Sequence, residues 1–337
     1  MKSIQQLANP HLLNLQPYSS ARSEYSGTAK VFLDANENPF GALNRYPDPL
    51  QTALKSKLSE LKKTAPEQIF IGNGSDEIID LTIRLFCEVG ADTIAICPPT
   101  YGMYEVSAAI NNIRVNRIPL TADFELDVSK ILEQQSKILF LCSPNNPTGN
   151  TLKNIDEIVR AYSGIVFIDE AYSEFSTNES WVTKVNQYPN VIVSQTFSKA
   201  YGLAAARIGV AYASAEIIDL FNKIKPPYNC SSLNVAAALE ALSDNEKVLA
   251  QIAEIVSERN RLKNELAAVP VIEKVFTSDA NFLFLKTTDA TAIYNQLISR
   301  GIVVRNRHNI VENCLRITVG TKQENDLLIN ILKSIQA

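Results

Sequence analysis

One lysine stands where a lysine has to have a purpose. Thr196-Phe197-Ser198-Lys199-Ala200-Tyr201-Gly202 follows the apolar run Val191 to Gln195. Lys199 therefore emerges at the carboxyl end of an expected buried strand, the place where open α/β sheets hold their ligands. An amine there works as a nucleophile or a proton carrier once burial or a nearby cation lowers its pKa. Arg207, eight residues on at the head of the next apolar run, supplies a cation and a binding group for an anion. Thr196 and Ser198 add hydroxyl donors. The competing reading is a solvated loop lysine, and a Ser-Lys pair alone does not decide between the two.

Other strand ends carry polar groups of matching kind. Asp169 closes the run Ile165 to Ile168, with Tyr172 three residues later; an isolated strand-end aspartate would be read as a cap or turn residue. Ser143-Pro144-Asn145-Asn146-Pro147-Thr148-Gly149 follows Ile138 to Leu141 and is longer and more particular than a turn requires. Gly72-Asn73-Gly74-Ser75-Asp76-Glu77 lies between a strand and a helix. It offers a nest of backbone N–H groups for an anion and could equally be a capping box with Ser75 or Asp76 as the cap, two readings that are compatible. Tyr101 opens a helix after a strand and can stack on a flat ring, with Tyr104 as its local rival. No Gly-x-Gly-x-x-Gly occurs, which disfavours a nicotinamide site.

The elements that must position these residues alternate. Expected strands are 68–72, 93–97, 113–118, 137–142, 165–169, 191–195 and 208–212, separated by helix-period segments such as 76–87, 101–111, 154–162 and 215–221. Runs apolar on both faces, such as Ile138-Leu139-Phe140-Leu141, suit a parallel sheet covered by helices on both sides. After residue 230 the texture changes to helices at 234–242 and 245–268, then strand, helix, strand, strand, helix (281–286, 290–300, 303–305, 315–319, 322–335). The expected organisation is a segment 1–30 packing on the smaller domain, a large domain 31–235, and a small domain 236–337; the length suits two cores.

Composition narrows the function. The 337 residues carry 36 acidic and 32 basic side chains, a net charge of −4, which offers no field for nucleic acid. The two histidines, His11 and His308, leave little material for a metal site or a serine-type triad. Cysteines 87, 97, 142, 230 and 314 sit mostly in apolar runs, the usage of buried thiols in a reducing compartment. With neither a secretory signal nor a membrane-length apolar stretch, a cytoplasmic protein with no membrane partner and no metal is expected.

Taken together, these strings resemble the fold-type I pyridoxal-phosphate enzymes of the aspartate aminotransferase superfamily. The resemblance implies an α/β fold: a large domain with a mostly parallel seven-stranded sheet between helices, plus a smaller α+β domain. It makes Lys199 the Schiff-base lysine and catalytic acid–base, with Asp169 facing the pyridine nitrogen, since the cofactor is an electron sink only while that nitrogen is protonated. Tyr172 and Asn146 fall to the phenolate oxygen, Tyr101 to the ring face, and Gly74, Ser75, Asp76, Thr196, Ser198 and Arg207 to the phosphate.

Within that superfamily, Leu33-Asp34-Ala35-Asn36-Glu37-Asn38-Pro39-Phe40-Gly41, followed by Arg45-Tyr46-Pro47-Asp48-Pro49, is similar to the histidinol-phosphate aminotransferase family, over about residues 15 to 330. By that resemblance the substrates are histidinol phosphate and 2-oxoglutarate, the latter becoming glutamate. Tyr46 reaches the cofactor phosphate of a neighbouring subunit in a homodimer, and Tyr18, Asn36, Arg305 and Arg316 bind substrate. Arginine suits this task because its planar fork matches oxyanions. Arg307 and His308 lie in the loop between the two arginines, so which side chain there meets substrate stays open. The rivals are a threonine-phosphate decarboxylase, an aromatic amino acid aminotransferase and, from another class, a nucleotide-binding or regulatory module on the same kind of fold.

Overall fold

The computed structural model describes residues 2–18, 25 and 30–335. Seven strands form the larger sheet: β1 (Ile69–Asn73), β2 (Thr93–Ile96), β3 (Arg114–Arg117), β4 (Ile138–Cys142), β5 (Ile165–Asp169), β6 (Val191–Thr196) and β7 (Ile208–Tyr212). Their order is β1-β7-β6-β5-β4-β2-β3. Only β7 runs against its neighbours; β2 to β6 are parallel where they pair. β4 and β5 are buried at every position, as their unbroken apolar runs require.

Alternation along each strand feeds two separate cores. Leu139, Leu141, Val166, Ile168 and Val193 face one side, where Leu54 and Leu58 of the helix Thr52–Lys62 and Ile158 of Ile155–Ala161 cover them. Phe70, Ile138, Phe140, Ile165, Phe167 and Ile192 face the other, under the helices Ser75–Phe86, Met103–Ile110 and Ala215–Ile224. Burying such side chains contributes about 1.5–3 kcal/mol each.

The second sheet is antiparallel throughout: β8 (Ile272–Val275), β9 (Phe282–Thr287), β10 (Arg305–Asn306) and β11 (Cys314–Thr318), in the order β10-β11-β9-β8. One face, with Leu283, Leu285, Leu315 and Ile317, packs against the helices Ala290–Ser299 and Lys322–Lys333 and the end of Asn245–Leu266. The other face turns toward the larger sheet. There Phe282 joins Tyr172, Phe175, Ala200 and Ala280 in a cluster that ties the two parts together.

Three expectations need correcting. The N-terminal residues do not pack on the smaller domain: Ile4, Leu7 and Ala8 join the core of the larger one, and Asn9 donates its backbone N–H to Leu85 O (2.7 Å) and its side-chain amide to Cys87 O (3.2 Å). They thereby satisfy carbonyls left open at the end of the helix Ser75–Phe86. Residues 1, 19–24 and 26–29 of that expected segment lie outside the described residues. The change of core also comes later than residue 235, because Ala238 and Leu242 of the helix Ser232–Ser243 still belong to the larger core. Finally, the short edge strand is Arg305–Asn306 rather than 303–305, and β8 and the helices Thr52–Lys62 and Val128–Glu133 were not foreseen.

Candidate active site

β4, β5 and β6 are parallel neighbours, so their carboxyl ends deliver Asn146, Asp169 and Lys199 to one place. These three line a single cleft with Ser75, Asp76, Tyr101, Tyr172, Thr196, Ser198 and Arg207. Larger hollows open along Gly301–Arg305 and the helix Lys322–Lys333, where Arg316 also lines the wall, around Ala35–Tyr46, and between Ser143–Asp156 and Glu170–Lys184; none of these contains Lys199.

At one end the cleft is built for an anion. The helix Ser75–Phe86 begins after Gly74 (φ +78°), and no side chain caps it. The capping-box alternative is therefore not realised, and the first-turn N–H groups face the cleft as donors. Gly74 is required twice over. Its φ is unfavourable for other residues, and a Cβ there would lie 2.5 Å from Nη2 of Arg207. Gly209 on β7 passes equally close, since its Cβ would meet Ser75 N at 2.5 Å. Arg207 pairs with Asp76 (Nη2–Oδ2 3.3 Å), and the Tyr101 hydroxyl donates to Asp76 Oδ1 (3.0 Å). The Asp76 carboxylate thus orients Arg207 and Tyr101, and only its backbone N–H suits an anion. Thr196 Oγ1 donates to Ser198 Oγ (3.0 Å) and accepts from Ser198 N (3.2 Å), fixing the turn that precedes the lysine.

At the other end is a buried acid. Asp169 is 2 % exposed; Oδ1 accepts from Ala171 N (3.1 Å) and Oδ2 from the Tyr104 hydroxyl (2.8 Å). Burial pushes its pKa up to about 6, against the pull of those two donors. Tyr172 is buried, and loss of hydration raises its pKa, so it remains a hydroxyl donor. Lys199 Nζ lies 5.8 Å from the Tyr172 ring centroid. The lysine reaches solvent through the mouth of the cleft, yet its pKa is lowered, first by loss of hydration and then by the charge of Arg316, with Arg207 adding to it.

The third wall comes from the second sheet. Arg316 on β11 donates from Nη1 to Asn146 Oδ1 (2.6 Å) and stands 5.3 Å over the Phe282 ring. Arg305 pairs with Arg316 in register, and Arg307 N–H continues that ladder to Cys314 O (2.9 Å). Strand alternation then places Arg305, Arg307 and Arg316 on one face, the face that carries Phe282. Buried Nε atoms of Arg307 and Arg316 have no hydrogen-bond partner. Burial, then Arg316 and Arg305, push the Arg307 pKa down to about 10, and its charge acts on Tyr172.

Other expected site residues lie apart. Tyr46 stacks on Tyr228 (centroids 4.4 Å, 16°) and shares the hollow of Ala35–Tyr46 with Asn36. Tyr18 is 75 % exposed, and Arg305 lines, together with Arg316, the hollow along Gly301. Sequence reasoning missed Tyr104 as a partner of Asp169 and left Arg307 undecided. The available signal for Tyr104 was that a tyrosine in an apolar helix needs an acceptor for its hydroxyl.

The donor set fits pyridoxal phosphate: an amine of lowered pKa, a buried acid held between two donors, and an uncapped helix start under an arginine. The fold and this cleft define a class I and II aminotransferase, and residues 17–332 match the family Aminotransferase class I and II. A histidinol-phosphate aminotransferase of Parabacteroides distasonis is 50 % identical over 344 residues, covering 100 % of both chains. Among solved structures, histidinol-phosphate aminotransferase from Sinorhizobium meliloti in complex with pyridoxal-5′-phosphate aligns with TM-score 0.79 and 27 % identity, covering 89 % of each chain. L-threonine-O-3-phosphate decarboxylase from Porphyromonas gingivalis shares the fold (TM-score 0.74, 22 % identity, 87 % of this chain and 93 % of that one). The chain belongs to the histidinol-phosphate aminotransferase family.

Proposed function

We propose that the protein transfers the amino group of L-histidinol phosphate to 2-oxoglutarate, giving imidazole acetol phosphate and L-glutamate, with pyridoxal phosphate held by Lys199. The observation that carries this reading is the meeting of Lys199, Asp169 and Asn146 in one cleft whose far end is an uncapped helix start, with Arg316 bonded to Asn146 from the second sheet. When bound, the cofactor supplies an electron sink for the pair left at the substrate α-carbon.

The residues of the chain divide the work. Backbone N–H groups of Ser75 and Asp76, the Ser198 and Thr196 hydroxyls and Arg207 would hold the cofactor phosphate, with Gly74 leaving Arg207 room. Tyr101 would cover the ring. Asp169, ionised above about pH 6, keeps a proton on the ring nitrogen. Tyr172 and Asn146 would hydrogen-bond the phenolate oxygen. Lys199, with its lowered pKa, would take the proton from the substrate α-carbon as general base and deliver it as general acid to C4′ of the cofactor. Arg316 enters this cleft from the second sheet and, with Arg305 and Arg307 on the same face, meets the substrate phosphate. A phosphate monoester is a dianion, and paired guanidinium groups suit it better than one does.

We place the enzyme in the cytoplasm, supported by five buried free cysteines, and in a homodimer that shares its sites. The dimer is supported by exposed apolar side chains gathered near Tyr46, with Leu33 at 90 %, Phe40 at 82 % and Leu43 at 66 %. Tyr46, Asn36 and Tyr18 then serve substrate or cofactor across or beside that interface. Among the described residues no helix is long and apolar enough to cross a membrane.

The test is a half-reaction. Histidinol phosphate added alone to the cofactor-loaded protein should convert its visible absorbance to that of the pyridoxamine form, and 2-oxoglutarate should restore it. Release of carbon dioxide from threonine phosphate, or a higher kcat/KM for phenylalanine, would replace this reading with one of its rivals.

A further inference from the structure

We propose that Tyr104 is a positioning residue: its hydroxyl holds the Asp169 carboxylate ionised and aimed into the cleft, and thereby sets the pH range over which the site keeps pyridoxal phosphate. The inference rests on the reading of Asp169 as the acid that faces the cofactor's ring nitrogen, and it assigns a role to a side chain outside the cleft lining.

Tyr104 is fully buried on the helix Met103–Ile110. Its ring stacks on Phe140 (4.8 Å, 19°) and meets Tyr101 edge-on (5.6 Å, 87°). Phenylalanine would make both contacts, so packing does not account for the hydroxyl. A buried hydroxyl without an acceptor is costly, and this one has found Asp169 Oδ2 at 2.8 Å. With Ala171 N–H on Oδ1, the carboxylate is gripped from both sides, which fixes its plane as well as its charge. Burial, then the charge of Asp169, keep the phenol pKa far above its ordinary value, so the group remains a donor at any working pH.

The neighbours of Asp169 show why that donor is needed. Asp76 and Glu170 raise the cost of its charge, while Tyr101, Tyr172 and the Cys142 thiol are neutral, pushed up first by burial and further by its charge. Lys199 is a cation on which the charge of Asp169 acts, and once joined to the cofactor it no longer has the same charge to offer. Two hydrogen bonds and burial therefore set the balance, and one of the two bonds comes from a side chain that can be changed by a single atom.

The experiment titrates the apoenzyme with pyridoxal phosphate, and with the carbocyclic analogue in which C–H replaces the ring nitrogen, across pH 5.5 to 8.5. In Tyr104→Phe the affinity for pyridoxal phosphate should fall about tenfold or more, the effect of a hydrogen bond to a charged group. The pH at which cofactor is lost should move up by about one unit, because a carboxyl with one donor fewer is protonated at higher pH. The analogue should bind wild type and variant alike. Incorporation of fluorotyrosine, a more acidic phenol of nearly the same volume, should move the midpoint down, and this arm remains decisive if Tyr104→Phe does not fold. Equal losses for both ligands, or an unmoved midpoint in either variant, would overturn the role of Tyr104. Asp169→Asn separates the two layers of the argument: it should erase the preference for the nitrogen-containing ligand. If the preference survives, the reading of Asp169 itself fails.

Discussion

The floor of the cleft and its arginine edge are built on opposite terms. On the floor, Asp169 has a donor on each oxygen, Asp76 is shared between Arg207 and Tyr101, and Thr196 and Ser198 are bonded to each other. At the edge, buried Nε atoms of Arg307 and Arg316 go unmatched, and among the described residues no ion pair involves Arg305, Arg307 or Arg316. A satisfied polar network is rigid; clustered cations without counter-ions are held at a cost that an arriving anion removes. The difference separates a place for a resident group from a place for one that comes and goes with each turnover.

The largest effects should come from breaking the floor. Lys199→Ala removes the only side-chain amine that lines the cleft among the described residues, and turnover should fall at least 10⁴-fold, the upper range for general acid–base catalysis alone. Reduction with borohydride should then leave no cofactor attached to the protein, which mass spectrometry reads directly. At the edge, Arg316→Gln should lower kcat/KM for histidinol phosphate by about 10²–10³, in line with the loss of a bidentate charge-assisted contact of roughly 3–4 kcal/mol. Arg316→Lys should recover little, since a point charge cannot both hold Asn146 and fork onto an oxyanion.

The floor was far more legible in the sequence than the edge. β4, β5 and β6 announce themselves as apolar runs, and Asn146, Asp169 and Lys199 follow from where those runs stop. The glycine at position 74 could be read as a helix entry because strand and helix periods change there. The edge depends instead on the register between β10 and β11, which is set by the pairing of two separate segments. Nothing local to Arg305-Asn306-Arg307 says which arginine faces the cleft. Tyr104 is similar, because its partner lies 65 residues away in sequence on another element. The docking of Ile4 and Leu7 was missed for the same reason: a short apolar stripe does not say which core it joins.

Asp169 sharpens the comparison by showing what the floor gives up. Its folded-state pKa is raised from 3.8 to about 6, so the folded protein binds more protons than the unfolded chain between those values. Stability contributed by this group is therefore greatest below pH 4 and is lost as pH rises through 6, by about 3 kcal/mol in total. Asp169→Asn keeps an acceptor for the Tyr104 hydroxyl and removes the titration. The variant apoprotein should be more stable than wild type in urea at pH 8 and should lose that advantage at pH 4.5. A gain independent of pH would show that the buried charge is not its source.

Arg307 is the finest test of the edge. Alternation places its side chain on the face of Arg316, its charge acts on Tyr172, and it lies outside the hollow that Arg305 and Arg316 line together. If the edge exists for a dianion, Arg307→Gln should raise KM for histidinol phosphate about tenfold with kcat little changed, the pattern of a contact made equally in ground and transition states. Inorganic phosphate, as a competitive inhibitor, should weaken in parallel. Arg305→Gln, at an exposed position, should do less on both measures. The reverse ranking would show that Arg305 swings inward when substrate binds and that Arg307 shapes the loop 308–313 instead.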